Sequence, residues 1–289
     1  MTKVKTYVIS AKDDEDRERE TAEQIARFLD KSGVEFDFLD MPAPDFTWAG
    51  GFSCYRFNGH EPRRELGQGN FIVFNTSGYR HGLTYFLVKD VEKSGLTYVH
   101  LDAHPDFWNY LNGSFSSASF VSPLLDLDNV DYAFLLAITP NETLVPFSKV
   151  TKQKIERVRE RLRFRLGQDF RSLKEDGNPP WSEVSAGIKK TFPGIKKGMY
   201  YEKGSVIRGK PLYLSVDLDV MQDFPTQWRG HGRLDLGLTK KLISRAGESG
   251  EVVAGDICGM DCSFDNGPEE WNSLLEVYNS MREVMEARN

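Results

Sequence analysis

Leu96-Thr97-Tyr98-Val99-His100-Leu101-Asp102-Ala103-His104-Pro105-Asp106 decides how this chain reads. Its first half is an apolar, β-branched and aromatic run of the kind that forms a buried strand. Its second half places three metal-ligating side chains, Asp102, His104 and Asp106, within five residues. Side chains alternate along a strand, so a strand over Leu96 to His104 puts Asp102 and His104 on one face, with Ala103 on the other. Pro105 ends the strand and lets Asp106 turn in from the loop. Such a group at the end of an apolar run is costly to bury unless something neutralises it, and divalent cations would do so.

Two more segments repeat the pattern. Pro211 to Val220 reads as a strand that carries Asp217 and Asp219 on one face by the same parity. Asn70 to Asn75 reads as a strand, with His81 following in the loop beyond it. Open α/β sheets build their sites at the C-terminal ends of strands, where all three groups fall. Six candidate ligands result: His81, Asp102, His104, Asp106, Asp217 and Asp219.

The rest of the chain supplies the sheet. Lys5 to Ser10 and Val34 to Leu39 read as strands around a helix over Asp13 to Lys31, whose Ala22, Ile25, Ala26 and Leu29 share one face. Ser32-Gly33 stops it. Gly82 to Lys93, Thr239 to Glu248 and Pro268 to Ala287 read as helices, and Tyr132 to Ile138 and Glu251 to Ile257 as strands. Thr151 to Leu166 reads as a basic helix, and 174–193 as irregular. Alternating strands and helices predict a three-layer α/β fold, a mostly parallel sheet with helices on both faces. With no repeat or low-complexity linker, residues 1–289 read as a single domain. Met41 to Gly69 stands apart, with three prolines, five glycines and the aromatics Phe46, Trp48, Phe52, Tyr55 and Phe57. A connection that long is usually functional or mobile, and its aromatics suggest that it packs down, as a pocket wall.

Composition bounds the partners. Net charge is −6, which carries no nucleic-acid signature. Residues 149–200 hold fourteen Lys or Arg against six Asp or Glu, a local +8. That is either a solvated face or a dock for an acidic peptide or partner subunit. Cys54, Cys258 and Cys262 form an odd, sparse set, which favours a reducing compartment without disulfides. The charged N-terminal stretch lacks the apolar core of a signal peptide, and no run reaches membrane-spanning length. A cytoplasmic protein is expected; a homo-oligomer is left open.

The ligand pattern resembles the arginase or ureohydrolase superfamily. The family's D-A-H-x-D motif is matched by Asp102, Ala103, His104 and Asp106, and its S-x-D-x-D motif by Ser215, Asp217 and Asp219. Its first metal histidine falls on His81, though Ser77-Gly78-Tyr79-Arg80-His81 departs from the family's G-G-D-H. The resemblance implies two Mn²⁺ per chain, one held by His81, Asp102, Asp106 and Asp217, the other by His104, Asp102, Asp217 and Asp219. Asp102 and Asp217 would bridge. Oxygen-rich ligation suits Mn²⁺, and Asp106 would orient the attacking water and accept its proton. Implied chemistry is hydrolysis of a guanidino C–N bond, releasing urea.

Two departures shape the substrate. The family's proton-shuttling histidine has no counterpart in Asn112 to Phe120, leaving Asp106, water or a loop histidine, His231 or His60, for that role. His231 is preferred, because Gly230-His231-Gly232 follows Asp219 by about a dozen residues, a distance from which that loop could fold back over the site. The family's guanidinium-gripping glutamate falls on Gly259. Asp-Ala-His-Pro-Asp is similar to the D-x-H-P-D of the peptide-arginase branch, which points to arginine within a peptide, converted to ornithine. Alternatives are agmatinase-like, formiminoglutamase-like or amide-deacylating chemistry on a small molecule, and a catalytically silent metal- and partner-binding protein. His100, deeper on the Asp102 face, reads as a supporting or core residue, and Asp256 as either a structural or a supporting one.

Overall fold

The computed structural model describes residues 3–10, 16–41, 46–47, 53–56, 66, 69–107, 114–138, 162–166, 209–226, 232, 234–264 and 266–287. The strands are β1 (Lys5–Ser10), β2 (Asp37–Asp40), β3 (Phe46–Thr47), β4 (Ser53–Arg56), β5 (Phe71–Phe74), β6 (Leu96–Leu101), β7 (Ser114–Ser116), β8 (Val130–Ile138), β9 (Leu162–Leu166), β10 (Pro211–Asp217) and β11 (Glu251–Cys258). The α-helices are α1 (Asp16–Lys31), α2 (Thr84–Lys89), α3 (Val121–Leu124), α4 (Leu236–Ser249) and α5 (Pro268–Glu286). Eight strands form one sheet in the order β2-β1-β5-β11-β10-β6-β8-β9. Every described pairing in it is parallel.

Alternate residues of the central strands feed two separate cores. On one side Phe71, Val73, Leu96, Tyr98 and Tyr213 pack with Phe86 and Leu87 of α2 and Val121 and Leu124 of α3. On the other, Ile72, Phe74, Val99, Leu101, Leu212 and Leu214 pack with Ile25 and Leu29 of α1, Ile243 of α4, and Val277 and Met281 of α5. A parallel sheet with both faces covered reads as near-continuous apolar runs, and β5 and β6 are buried throughout, β6 with Thr97 and His100 among its apolar residues. The expected three-layer α/β architecture is present.

Local chemistry sets the helix ends. Past α1, Gly33 takes the left-handed φ of +72°, and the Val34 N–H reaches back to the Leu29 carbonyl. α4 begins three residues before the expected Thr239, because Asp235 caps it by accepting from the Leu238 N–H at 2.7 Å. Pro268 occupies the first turn of α5, where its missing N–H has no cost.

Two readings of the sequence need correction. Leu162–Leu166, expected to end a basic helix, is instead strand β9, parallel to β8. Its sequence Leu-Arg-Phe-Arg-Leu alternates with the period of two that marks a strand; residues 151–161 lie outside the described residues. In the Met41 to Gly69 connection, β3 and β4 form a small antiparallel sheet with β7. Tyr55 there packs down as expected, but into the core rather than as a pocket wall, buried against Phe86 and Phe115. Among the described residues no helix is long and apolar enough to cross a membrane.

Candidate metal centre

All six candidate ligands lie at the C-terminal edge of the sheet, beyond or at the ends of β5, β6 and β10, three strands of the central region. β6 stops at Leu101, so Asp102 and His104 belong to a loop rather than to the strand expected to reach His104. Strand parity therefore does not aim them; the loop's own hydrogen bonds do. The His104 N–H donates to Asp102 Oδ1 at 2.6 Å, and the Ala103 N–H to Asp219 Oδ1 at 3.2 Å. Asp106 then turns inward with a left-handed φ of +44°. Aspartate tolerates that region better than most residues, and backbone held there is usually held by its surroundings.

A similar device shapes the second cluster. Asp217 is the last residue of β10, and Asp219 sits in the 3-10 turn Leu218–Val220. Asp217 Oδ1 caps that turn by accepting from the Asp219 N–H at 3.0 Å. His81 lies in a 3-10 turn, Gly78–Leu83, that runs into α2.

The ligands fall into two groups that share Asp102. In the inner group, His81 Nδ1 is 3.2 Å from Asp102 Oδ2, 3.1 Å from Asp106 Oδ2 and 3.3 Å from Asp217 Oδ2. In the outer group, His104 Nδ1 is 2.8 Å from Asp219 Oδ2 and 3.4 Å from Asp102 Oδ1. The two oxygens of Asp102 thus face opposite ways, one to each histidine. The contacts of Asp217 lie on the inner side, through Oδ2, and on the Asp219 backbone, through Oδ1.

Charge crowding is severe. Burial, then the negative charge of Asp102, raises Asp106 to about 6. Burial, then Asp217 and Asp102, pushes Asp219 well above the usual carboxylate range. Burial opposes the charged forms of His81 and His104, yet both are shifted well upward. Cys258 and the carboxylates of Asp102, Asp106 and Asp217 do this for His81, and Asp219 and Asp102 for His104. Burial also opposes ionisation of Asp102, but the surrounding histidines hold it well below its ordinary value. Positive charge is what this cluster lacks.

The donor atoms fit metal ions. His81 Nδ1, Asp102 Oδ2 and Asp219 Oδ2 are buried without a hydrogen-bond partner, although buried polar atoms almost always have one. All three belong to the convergent clusters His81–His100–Asp102–Asp106 and Asp102–His104–Asp219. Carboxylate oxygens and imidazole nitrogens of this number suit divalent first-row cations.

Supporting residues are built in beneath. Ser215 Oγ lies 2.9 Å from His81 Nε2, which leaves Nδ1 to face the cluster. The His81 ring also contacts Phe120 and stacks on His100 at 5.0 Å between centroids. His100, fully buried, joins the Tyr98 hydroxyl at 2.7 Å on Nδ1 and Asp102 Oδ2 at 3.0 Å on Nε2. It therefore braces the shared carboxylate, in keeping with the supporting reading. Asp256, buried on β11, accepts a 2.8 Å hydrogen bond from Thr84 of α2.

One neighbour of the centre escaped the sequence reading. Cys258, the last residue of β11, lies opposite Asp217 in register and donates its S–H to Asp217 Oδ2 at 3.2 Å. Burial, then Asp217, pushes its thiol well above the ordinary range. The strand-end rule that picked out Asp217 also covers Cys258. The position of Gly259 is equally informative: its φ is +98°, and a Cβ there would lie 2.6 Å from Asp217 Oδ1. His231 and His60 lie outside the described residues.

The described architecture is the arginase-like α/β fold. Among solved structures, it is similar to formimidoylglutamase from Bacillus subtilis subsp. subtilis str. 168 (TM-score 0.58, 12% identity, 99% of this chain and 88% of that one). It is likewise similar to proclavaminate amidino hydrolase from Streptomyces clavuligerus (0.59, 12%, 100% and 94%). Helicobacter pylori arginase gives 0.58 at 13% identity over 98% and 99%. No protein-family model and no curated protein matches the sequence.

Proposed function

We propose that this chain is a binuclear-metal hydrolase that cleaves a guanidino C–N bond and releases urea, acting on arginine within a peptide to leave ornithine. One observation carries the reading: six candidate ligands converge in two groups that share Asp102, with buried His81 Nδ1, Asp102 Oδ2 and Asp219 Oδ2 making no hydrogen bond. Among the neighbours, the names formimidoylglutamase, arginase and proclavaminate amidino hydrolase all denote enzymes of amidine or guanidine groups, which supports the reaction class. His81, Asp102, Asp106 and Asp217 would hold one ion, and His104, Asp102, Asp217 and Asp219 the other, with Mn²⁺ expected. When bound, such a pair supplies Lewis-acid activation of water near neutral pH.

The chain's own groups supply the rest. Asp106, buried beside the ions' other ligands, would orient the attacking water and take its proton. His81 and His104 orient the carboxylates through the contacts given above. Gly259 supports the substrate assignment. Any side chain there would meet Asp217 and would need a backbone conformation that L-residues rarely adopt. A carboxylate that grips guanidinium from this position is therefore incompatible with Asp217 where it stands. Binding energy must come from the remainder of the substrate, of which a peptide offers more than free arginine.

The test is urea release in Mn²⁺ from arginine-containing peptides against free arginine and agmatine. Higher kcat/KM for the peptide is expected. A preference for free arginine would refute the peptide assignment, and formamide or acetate in place of urea would move the chain to formiminoglutamase-like or deacylating chemistry.

A further inference from the structure

We propose that Cys258 is a ligand of the ion held by His81 and Asp217, so that this inner position takes a softer divalent cation, such as zinc or cobalt, in preference to manganese. The inference rests on the binuclear reading and concerns which donors complete it.

Three observations converge. First, the Nδ1 of His81, a carboxylate oxygen of Asp217 and the Sγ of Cys258 lie within 4.8 Å of one another, and all three residues are buried. Ligand bonds of about 2.0–2.3 Å put adjacent donors of one ion roughly 3.0–3.5 Å apart. The 3.2 Å from Sγ to Asp217 Oδ2 and the 3.3 Å from that oxygen to His81 Nδ1 are close to that spacing. Second, the His81 side chain is 1% exposed and its buried Nδ1 has no hydrogen-bond partner, while Ser215 occupies the ring's other nitrogen. The unsatisfied nitrogen thus faces the same oxygen as the thiol. Third, the backbone fixes this approach. β10 and β11 pair in register with Asp217 opposite Cys258, and the next residue is a glycine whose missing Cβ lets the chain lie against Asp217.

A buried cysteine is ordinarily a small apolar residue. Cys258 differs because its sulfur rests on a carboxylate oxygen that is itself aimed at an unsatisfied imidazole. Coordination is balanced without any redox change. On binding, the S–H bond would break heterolytically, the sulfur would offer its electron pair to the cation, and the proton would be released to solvent. A thiolate among the donors shifts preference towards Zn²⁺ and Co²⁺ and away from Mn²⁺, which favours oxygen.

Cobalt reports sulfur ligation directly. Full-length protein, reduced and metal-free, is titrated with Co²⁺ while bound metal is counted by equilibrium dialysis. A sulfur-to-cobalt charge-transfer band in the near ultraviolet is expected, saturating with the first ion. Cys54→Ala and Cys262→Ala should each keep the band, and Cys258→Ser should lose it while still binding cobalt. Zn²⁺ preference over Mn²⁺ should also fall by on the order of tenfold in Cys258→Ser. Two bound Co²⁺ without a charge-transfer band in the unaltered protein would overturn the role of Cys258 and leave the binuclear reading standing. Failure to bind Co²⁺, Zn²⁺ or Mn²⁺ at all would overturn both. Because the first readout uses the unaltered chain, misfolding of Cys258→Ser would not protect the proposal.

Discussion

The inner and outer halves of the centre use the same residue types in different settings. His81 is 1% exposed, packed between Phe120 and His100 and held by Ser215, and it faces three carboxylates. The side chain of His104 is 15% exposed and lies on a loop tied by backbone hydrogen bonds, and it faces Asp219 and Asp102. The inner side is thus closed by the fold, and the outer side is partly open to solvent. Asp102 joins the two.

Substitution of the joining residue should have the largest effect. Asp102→Asn is expected to reduce metal from about two ions per chain at both positions and bring urea release to background. Elemental analysis after dialysis checks it, and full occupancy of both positions in the variant would dissolve the shared-ligand arrangement.

Removing the proposed proton carrier should come next. His231→Ala is expected to lower kcat by roughly 10²-fold while both ions stay bound, as for loss of a general acid. His60→Ala is the alternative arm. Unchanged kcat in both would assign proton transfer to Asp106 and solvent.

Loosening the inner side alone separates the halves further. Ser215→Ala frees His81 Nε2 and should weaken the inner ion by about 10–100-fold, leaving the outer one nearly unchanged. Metal titration followed by calorimetry would reveal it; equal weakening at both positions would mean that the halves are not independent.

The mildest effect concerns pH. Asp106 is raised from 3.8 to about 6 in the folded protein, so its stabilising contribution is complete below about 4 and lost as pH rises through 6. Asp219, His81 and His104, also shifted upward, act in the same direction, His81 and His104 at higher pH. Asp102, shifted downward, matters only below 3.8. Metal-free protein should therefore lose Tm as pH rises from about 4 past 6, and saturating divalent cation should flatten that slope. A metal-free Tm that climbs over this range would contradict the crowding of negative charge.

The convergence of the six candidate ligands was legible because the signals are local. Apolar runs marked β5, β6 and β10, and Asp102, His104, Asp106, Asp217, Asp219 and His81 followed them at the C-terminal edge where parallel sheets place their sites. Helix α1 was legible for the same reason, its apolar face being written at helical spacing. β9 was not, because charge density drew the reading to a helix while a five-residue alternation holds too little signal to outweigh it.

Sequence alone thus determined which residues gather and on which edge of the sheet, since strand propensity and strand order act over a few residues or a few elements. Only tertiary structure decided how they meet. β6 ends before Asp102, so backbone N–H groups of Ala103 and His104, not strand parity, aim the carboxylates. The register of β10 against β11 lays Cys258 beside Asp217, and the turn at Gly259 closes the space where a longer side chain would stand. Register and close approach arise from contacts between segments some forty residues apart in the chain, and short-range pattern carries no record of them.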